Sequence, residues 1–176
     1  MIYYNDGKIV VRTMKEEDAD IIFTEENVQG HHPNIEKYRC YYREQNSRIR
    51  YVFIGEYEGN VAGYATLLPR VKDGPFKSQG IPEVVDFNVF IKFRKRGIGN
   101  KILDIVEKVA SGLSNTICLG VGVHSGYGSA QRIYIKRGYL FDGSGVWYRG
   151  EQLEQYAECC NDDDLVLFLS KSLRQL

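Results

Sequence analysis

Val84-Val85-Asp86-Phe87-Asn88-Val89-Phe90-Ile91-Lys92-Phe93-Arg94-Lys95-Arg96-Gly97-Ile98-Gly99-Asn100-Lys101 is the stretch on which the fold turns. Its first eight residues are mostly apolar and β-branched or aromatic and follow a loop marked by Gly74-Pro75 and Gly80, so they read as a buried central strand. From Ile98 the pattern changes period. Ile98, Ile102, Ile105, Val106 and Val109 recur at helical spacing while Lys101, Asp104, Glu107 and Lys108 take the opposite face, and Gly112 ends the helix. A buried strand running through a glycine-containing turn into an amphipathic helix is the signature of an α/β architecture.

The turn itself carries chemistry. Gly97 and Gly99 allow close approach to the backbone, and a helix N-terminus presents unpaired N–H groups with the positive end of the helix dipole. Lys92, Arg94, Lys95, Arg96 and Lys101 concentrate positive charge there, although Lys+Arg and Asp+Glu each number 23 and the chain has no net charge. A phosphate cradle fits these residues, and a solvated basic turn capping a strand fits them too. A Rossmann fingerprint requires a third glycine where Ile102 stands, and a P-loop requires Gly-Lys-Ser/Thr, so both of those phosphate motifs are excluded.

Outward from this stretch the chain alternates strands and helices. Lys8 to Thr13 reads as a first strand, the acidic run Lys15-Glu16-Glu17-Asp18 opens a helix, and Ile35 to Ser47 forms a second helix after the break at His32-Pro33-Asn34. Arg50 to Tyr57 and Val61 to Leu68 form a hairpin around Glu58-Gly59-Asn60. Downstream, Thr116 to Val123 is a strand, Ser129 to Arg137 a short helix closed by Gly138, and Tyr139 to Tyr148 and Leu165 to Leu169 are further strands. The expectation is one α/β domain over residues 1–176.

Composition narrows the function. Zero net charge argues against nucleic acid or an anionic membrane as partner, and no stretch has the apolar length of a membrane span or the pattern of a secretory leader. Cys40, Cys118, Cys159 and Cys160 have no C-x-x-C spacing and read as reduced thiols, which together with the missing leader implies a cytoplasmic protein. His31, His32 and Cys40 match no standard ligand pattern, so no metal is expected.

Arg94-Lys95-Arg96-Gly97-Ile98-Gly99 meets the R/Q-x-x-G-x-G/A signature of the GNAT N-acetyltransferase superfamily, directly after a strand, and the chain resembles that superfamily over nearly its whole length. Its second motif, roughly N-x-x-A-x-x-x-Y-x-x-x-G-F, is similar to Tyr127 through Tyr139, where Ala130, Tyr134, Gly138 and Tyr139 keep the register and Tyr127 replaces the Asn. The resemblance implies a mixed, twisted sheet of about seven strands with flanking helices, binding acetyl-CoA as co-substrate and passing the acetyl group directly to an amine. It assigns the pyrophosphate to the loop amides of Lys95, Arg96, Gly97, Ile98, Gly99 and Asn100 and the pantetheine arm to the main chain of Phe87, Asn88 and Val89, and it places Arg94 and Tyr134 among the cofactor-binding residues; Ser129 could supply a hydrogen bond in place of the Asn that Tyr127 replaces.

The resemblance also implies that Tyr134 protonates the departing thiolate, a role that suits a phenol beside developing negative charge, although an aromatic on a short helix is as readily packing. Glu83 stands eleven residues before Arg94, where histone-acetylating members carry a glutamate base; Asp86, Asn88 and His124 are rivals. Members that acetylate a ribosomal protein place their glutamate where Gly122 stands here, so that mechanism is not supported. The acidic residues Asp162, Asp163 and Asp164 could draw a cationic amine or simply form a solvated face. The acceptor is a small-molecule or peptide amine, the assembly a monomer or homodimer. A non-catalytic acyl-CoA-binding regulatory module would carry the same cradle.

Overall fold

The computed structural model describes residues 1–173 and resolves the chain into two compact units. The first contains Met1–Leu68 and Val85–Val109, the second Pro69–Val84 and the described chain from Ala110 onward.

The first unit begins with an antiparallel run of strands, β1 (Ile2–Asn5), β2 (Ile9–Thr13), β3 (Tyr51–Tyr57) and β4 (Asn60–Leu68), interrupted after β2 by two helices, α1 (Asp18–Val28) and α2 (Ile35–Asn46). Asn34 caps α2, its side chain accepting from the Glu36 amide at 2.9 Å. The β3–β4 loop is a two-residue turn with Glu58 and Gly59 both at positive φ, 48° and 80°, the type I′ geometry that matches strand twist. Ile22, Tyr38, Val52, Ile54, Tyr64 and Phe90 form the core under α1 and α2. Full burial of each aliphatic or aromatic side chain contributes about 1.5–3 kcal/mol. The unit closes with the larger parts of β5 (Glu83–Val89) and of α3 (Ile98–Ser111), whose Ile98, Ile102, Leu103 and Val106 are all buried. Gly55 on β3 lets that helix pack closely, because a Cβ there would stand 2.6 Å from Ile102 Cδ1.

In the second unit Glu83 and Val84 of β5 pair in parallel with Cys118 and Leu119 of β6 (Thr116–Gly122). After β6 come α4 (Gly128–Lys136), β7 (Leu140–Tyr148), β8 (Glu151–Gln152) and β9 (Leu165–Ser172). β9 lies antiparallel to both β6 and β7, and β7 to β8. Val71, Phe76, Ile81, Cys118 and Phe168 form this unit's core.

Among the described residues the strand order is β1-β2-β3-β4-β5-β6-β9-β7-β8, so the sheet is mixed as expected but has nine strands where about seven were expected. The two additions are β1 and β8. Each is too short to show a period of its own and exists by pairing: Asn5 with Val10 across the Asp6-Gly7 turn, and Gln152 with Trp147 across Arg149-Gly150.

Candidate active site

The turn between β5 and α3 is built from two differently used glycines. Gly97 has φ +83°, left-handed, and a Cβ placed on it would meet no protein atom within 4 Å; its backbone faces open space. Gly99 serves packing instead: a Cβ there would stand 3.1 Å from Phe87 Cζ and 3.2 Å from Val89 Cγ2, so this glycine seats α3 against β5. Lys95 is also left-handed, φ +63°. α3 has fourteen residues and starts directly after this turn, with the Ile98 side chain buried.

The basic residues divide. Arg94, Lys95 and Arg96 are exposed on the turn. Arg94 Nε donates to the Val89 carbonyl at 2.9 Å and thereby ties the loop to the strand end, while the Arg96 guanidinium lies over Tyr57, 4.8 Å from the ring centre. Lys92 is committed to Glu25 at 2.6 Å, and Lys101 lies 4.2 Å from the Tyr4 ring centre and 3.5 Å from Asp104. The positive charge offered by the turn therefore centres on 94–96.

β5 departs from the buried strand expected. Val84 is buried, but 85–89 are only half-buried, and Asp86 takes a left-handed backbone, φ +52°, in the middle of the strand. This breaks the strict alternation that would put Glu83 and Asp86 on opposite faces. Side chains from neighbouring elements hold the kinked segment. Thr66 Oγ1 donates to the Val85 carbonyl at 2.5 Å; Tyr41 Oη and Lys37 Nζ donate to the two Asp86 carboxylate oxygens, the lysine at 2.8 Å; Asn88 Nδ2 donates to Glu26 Oε1 at 2.8 Å. Gly63 makes room for the Asn88 carbonyl, which a Cβ would approach to 2.5 Å.

Glu26 is a residue that the sequence reading missed. It is 3% exposed and accepts from Tyr64 at 3.1 Å as well as from Asn88, and His31 Nδ1 lies 2.6 Å from its other oxygen. Burial, and then the Glu26 charge, push the Tyr38 phenol up to about 12, and the same two causes raise Tyr64, so both phenols stay protonated at neutral pH. Tyr41 is raised by burial and by Asp86. The signal was present: Ala19, Ile22 and Glu26 share one helical face, so extending the buried face of α1 by one turn lands on a carboxylate.

In the second unit Tyr134 is buried on α4, edge-on to Tyr139 at 5.7 Å, and burial raises its phenol above the ordinary value. Ser129 is exposed in the first turn of the same helix. Glu83 is half-buried at the start of β5 beside Cys118, whose thiol is raised by burial and by the Glu83 charge. His124 is committed: Nδ1 accepts from the Gly126 amide at 3.1 Å, which leaves Nε2–H to donate to Asp163 at 2.9 Å, and Tyr127 donates to the same oxygen. Asp162 accepts from Tyr148, and Asp164 lies 3.5 Å from Arg149, so the acidic run is tied to the end of β7 and, through Asp163, to the segment between β6 and α4. Tyr127 also explains Gly122, because any Cβ at that position would run into its ring. Among the described residues no group of three or more His, Cys, Asp and Glu could hold a metal, and no helix is long and apolar enough to cross a membrane.

These features define an α/β protein whose central strand leads through a glycine turn into the start of a long helix. The model of the acetyltransferase (GNAT) family matches residues 15–139, and the chain belongs to that family. Among solved structures it is similar to yncA, a putative acetyltransferase from Salmonella typhimurium with its cofactor acetyl-CoA, at 15% identity and TM-score 0.69 over 97% of this chain and 96% of that one. An N-acetyltransferase from Staphylococcus aureus Mu50 is similar at 16% identity and TM-score 0.68, over 96% of this chain and 100% of that one. A Salmonella typhimurium acetyl transferase that modifies the N-terminal serine of ribosomal protein L7/L12 is similar at 10% identity and TM-score 0.70, over 98% and 99%. At these identities the likeness is one of fold. No curated protein matches the chain in sequence.

Proposed function

We propose that the whole chain acts as one N-acetyltransferase domain, binding acetyl-CoA at the Arg94–Asn100 turn and transferring the acetyl group directly to an amine. The observation that carries this reading is Gly97: a left-handed glycine with open space before it, at the start of a fourteen-residue helix and flanked by exposed Arg94, Lys95 and Arg96. A phosphate-bearing ligand fits there by backbone N–H bonds, helix dipole and charge together. The half-buried main chain of Phe87, Asn88 and Val89 takes the pantetheine arm, and Ser129 adds a hydrogen bond. Family membership and the acetyl-CoA of the yncA structure support the choice of ligand. Four free thiols fit a reducing, cytoplasmic setting.

The amine nitrogen bonds to the acetyl carbonyl carbon, backbone N–H groups near Val89 stabilise the oxygen as it becomes negative, and the carbon–sulfur bond breaks. Tyr134, a phenol that is protonated at neutral pH, gives its proton to the departing thiolate. Glu83 takes the proton lost by the amine, through a water.

Calorimetry with acetyl-CoA on Gly97→Glu, alongside thiol release over a panel of amines, tests the reading. The added carboxylate fills the space before Gly97 and opposes phosphate, so binding should be lost in a folded variant. Unchanged affinity removes the turn from the site, and binding without thiol release for any amine leaves an acyl-CoA-binding module in place of an enzyme.

A further inference from the structure

The α2 side of β5 carries an aromatic and carboxylate cluster that the acetyl-CoA site does not use. Tyr38 stands edge-on to both Tyr41 and Tyr64, with centroids 6.1 and 5.9 Å apart, and the two carboxylates Glu26 and Asp86 are hydrogen-bonded to this aromatic group. Their situations differ. Glu26 is sealed, 3% exposed and shared among Tyr64, Asn88 and His31. Asp86 is within reach of solvent, and what sits on it is a primary ammonium: Lys37 Nζ, 2.8 Å from Oδ1 and 5.8 Å from the Tyr41 ring centre, on a side chain 44% exposed. A second cation, the Arg50 guanidinium, lies 4.6 Å from the same ring but is held elsewhere, by Glu44 at 2.6 Å and Thr66 at 2.8 Å.

The Asp86 carboxylate and the Tyr41 ring thus form a seat that accepts an alkylammonium, and its present occupant is held by a solvent-exposed contact, so it is readily displaced. An ammonium bound to a carboxylate has no free electron pair and cannot attack a thioester. A ligand of this seat that is also an acetyl acceptor must therefore carry a second amine.

Resting on the transfer reading above, we propose that Lys37 stands in for part of the substrate and that the acceptor is an aliphatic diamine or polyamine. One ammonium replaces Lys37 Nζ on Asp86 and stays protonated. The other nitrogen, neutral, bonds to the acetyl carbon; the carbon–sulfur bond breaks, the amine proton leaves to the base, and the thiolate takes a proton from Tyr134.

The test compares putrescine with the amino alcohol of the same length, in steady-state thiol release and in calorimetric titration of the amines alone. The expected result is a kcat/KM preference for the diamine of about tenfold or more, expressed mainly in KM, as for a hydrogen bond to a charged group. Asp86→Asn should erase that preference while acetyl-CoA affinity is kept; asparagine tolerates a left-handed backbone, so the variant should fold. Lys37→Met should lower the diamine KM by removing the competing ammonium. Equal kcat/KM for the two amines, or a preference that survives in Asp86→Asn, overturns the inference and leaves the transfer reading standing. If no amine turns over, putrescine binding that is lost in Asp86→Asn upholds the seat and sinks the transfer reading. Absence of that binding overturns the seat by itself.

Discussion

Gly97→Ala separates a backbone reserved for ligand from a backbone that merely turns. The substituted Cβ would meet no protein atom within 4 Å, so the folding cost is conformational alone: a left-handed alanine costs about 1–2 kcal/mol. For a chain of this size that lowers Tm by about 2–8 °C. Gly7, in the β1–β2 turn, has φ +91° and the same empty surroundings, so Gly7→Ala should lose a similar amount. The variants should part on acetyl-CoA. If phosphate lies before Gly97, the methyl group displaces at least one charge-assisted N–H bond of about 1.5–3 kcal/mol, which raises Kd about tenfold to a hundredfold. Gly7→Ala should bind as wild type. Thermal unfolding and calorimetry on both variants provide the comparison. Equal Kd values for the two, at matched loss of Tm, would refute the reasoning, because the space before Gly97 would then be unused.

Tyr134→Phe keeps the ring against Tyr139 and removes the acid, so turnover should fall by roughly a hundredfold with acetyl-CoA affinity retained; a matched loss of binding would mark Tyr134 as packing. Glu83→Gln should lower the rate at neutral pH and recover partly at higher pH, where more of the amine is already neutral; a wild-type pH profile would remove Glu83 as base. Alkaline stability follows from the buried phenols. Tyr38 is raised from 10.0 to about 12 in the folded chain, so its contribution is complete below pH 10 and is lost as pH rises through about 12. Tm measured across that window should fall more steeply for wild type than for Tyr38→Phe, and parallel curves would contradict the assignment.

Local patterns made much of this protein legible before any tertiary structure. The period change at Ile98, the two glycines and the basic run identified the β5–α3 turn, because a helix start beside a strand end is specified by residues a few positions apart. The hairpin was readable in the same way, since Glu58-Gly59 supplies the two left-handed positions that a tight turn requires. What was not local stayed hidden. β1 and β8 exist only through their partners. Gly97 and Gly99 look alike in sequence, and only the packing of Phe87 and Val89 against α3 assigns one to open space and the other to contact. Alternation along β5 predicted opposite faces for Glu83 and Asp86, but Tyr41 and Lys37 of α2, more than forty positions away, hold Asp86 in a left-handed kink. Glu26, His31, Tyr64 and Asn88 meet for the same reason: their association depends on how α1 lies across β4 and β5, which no single stretch of the chain encodes.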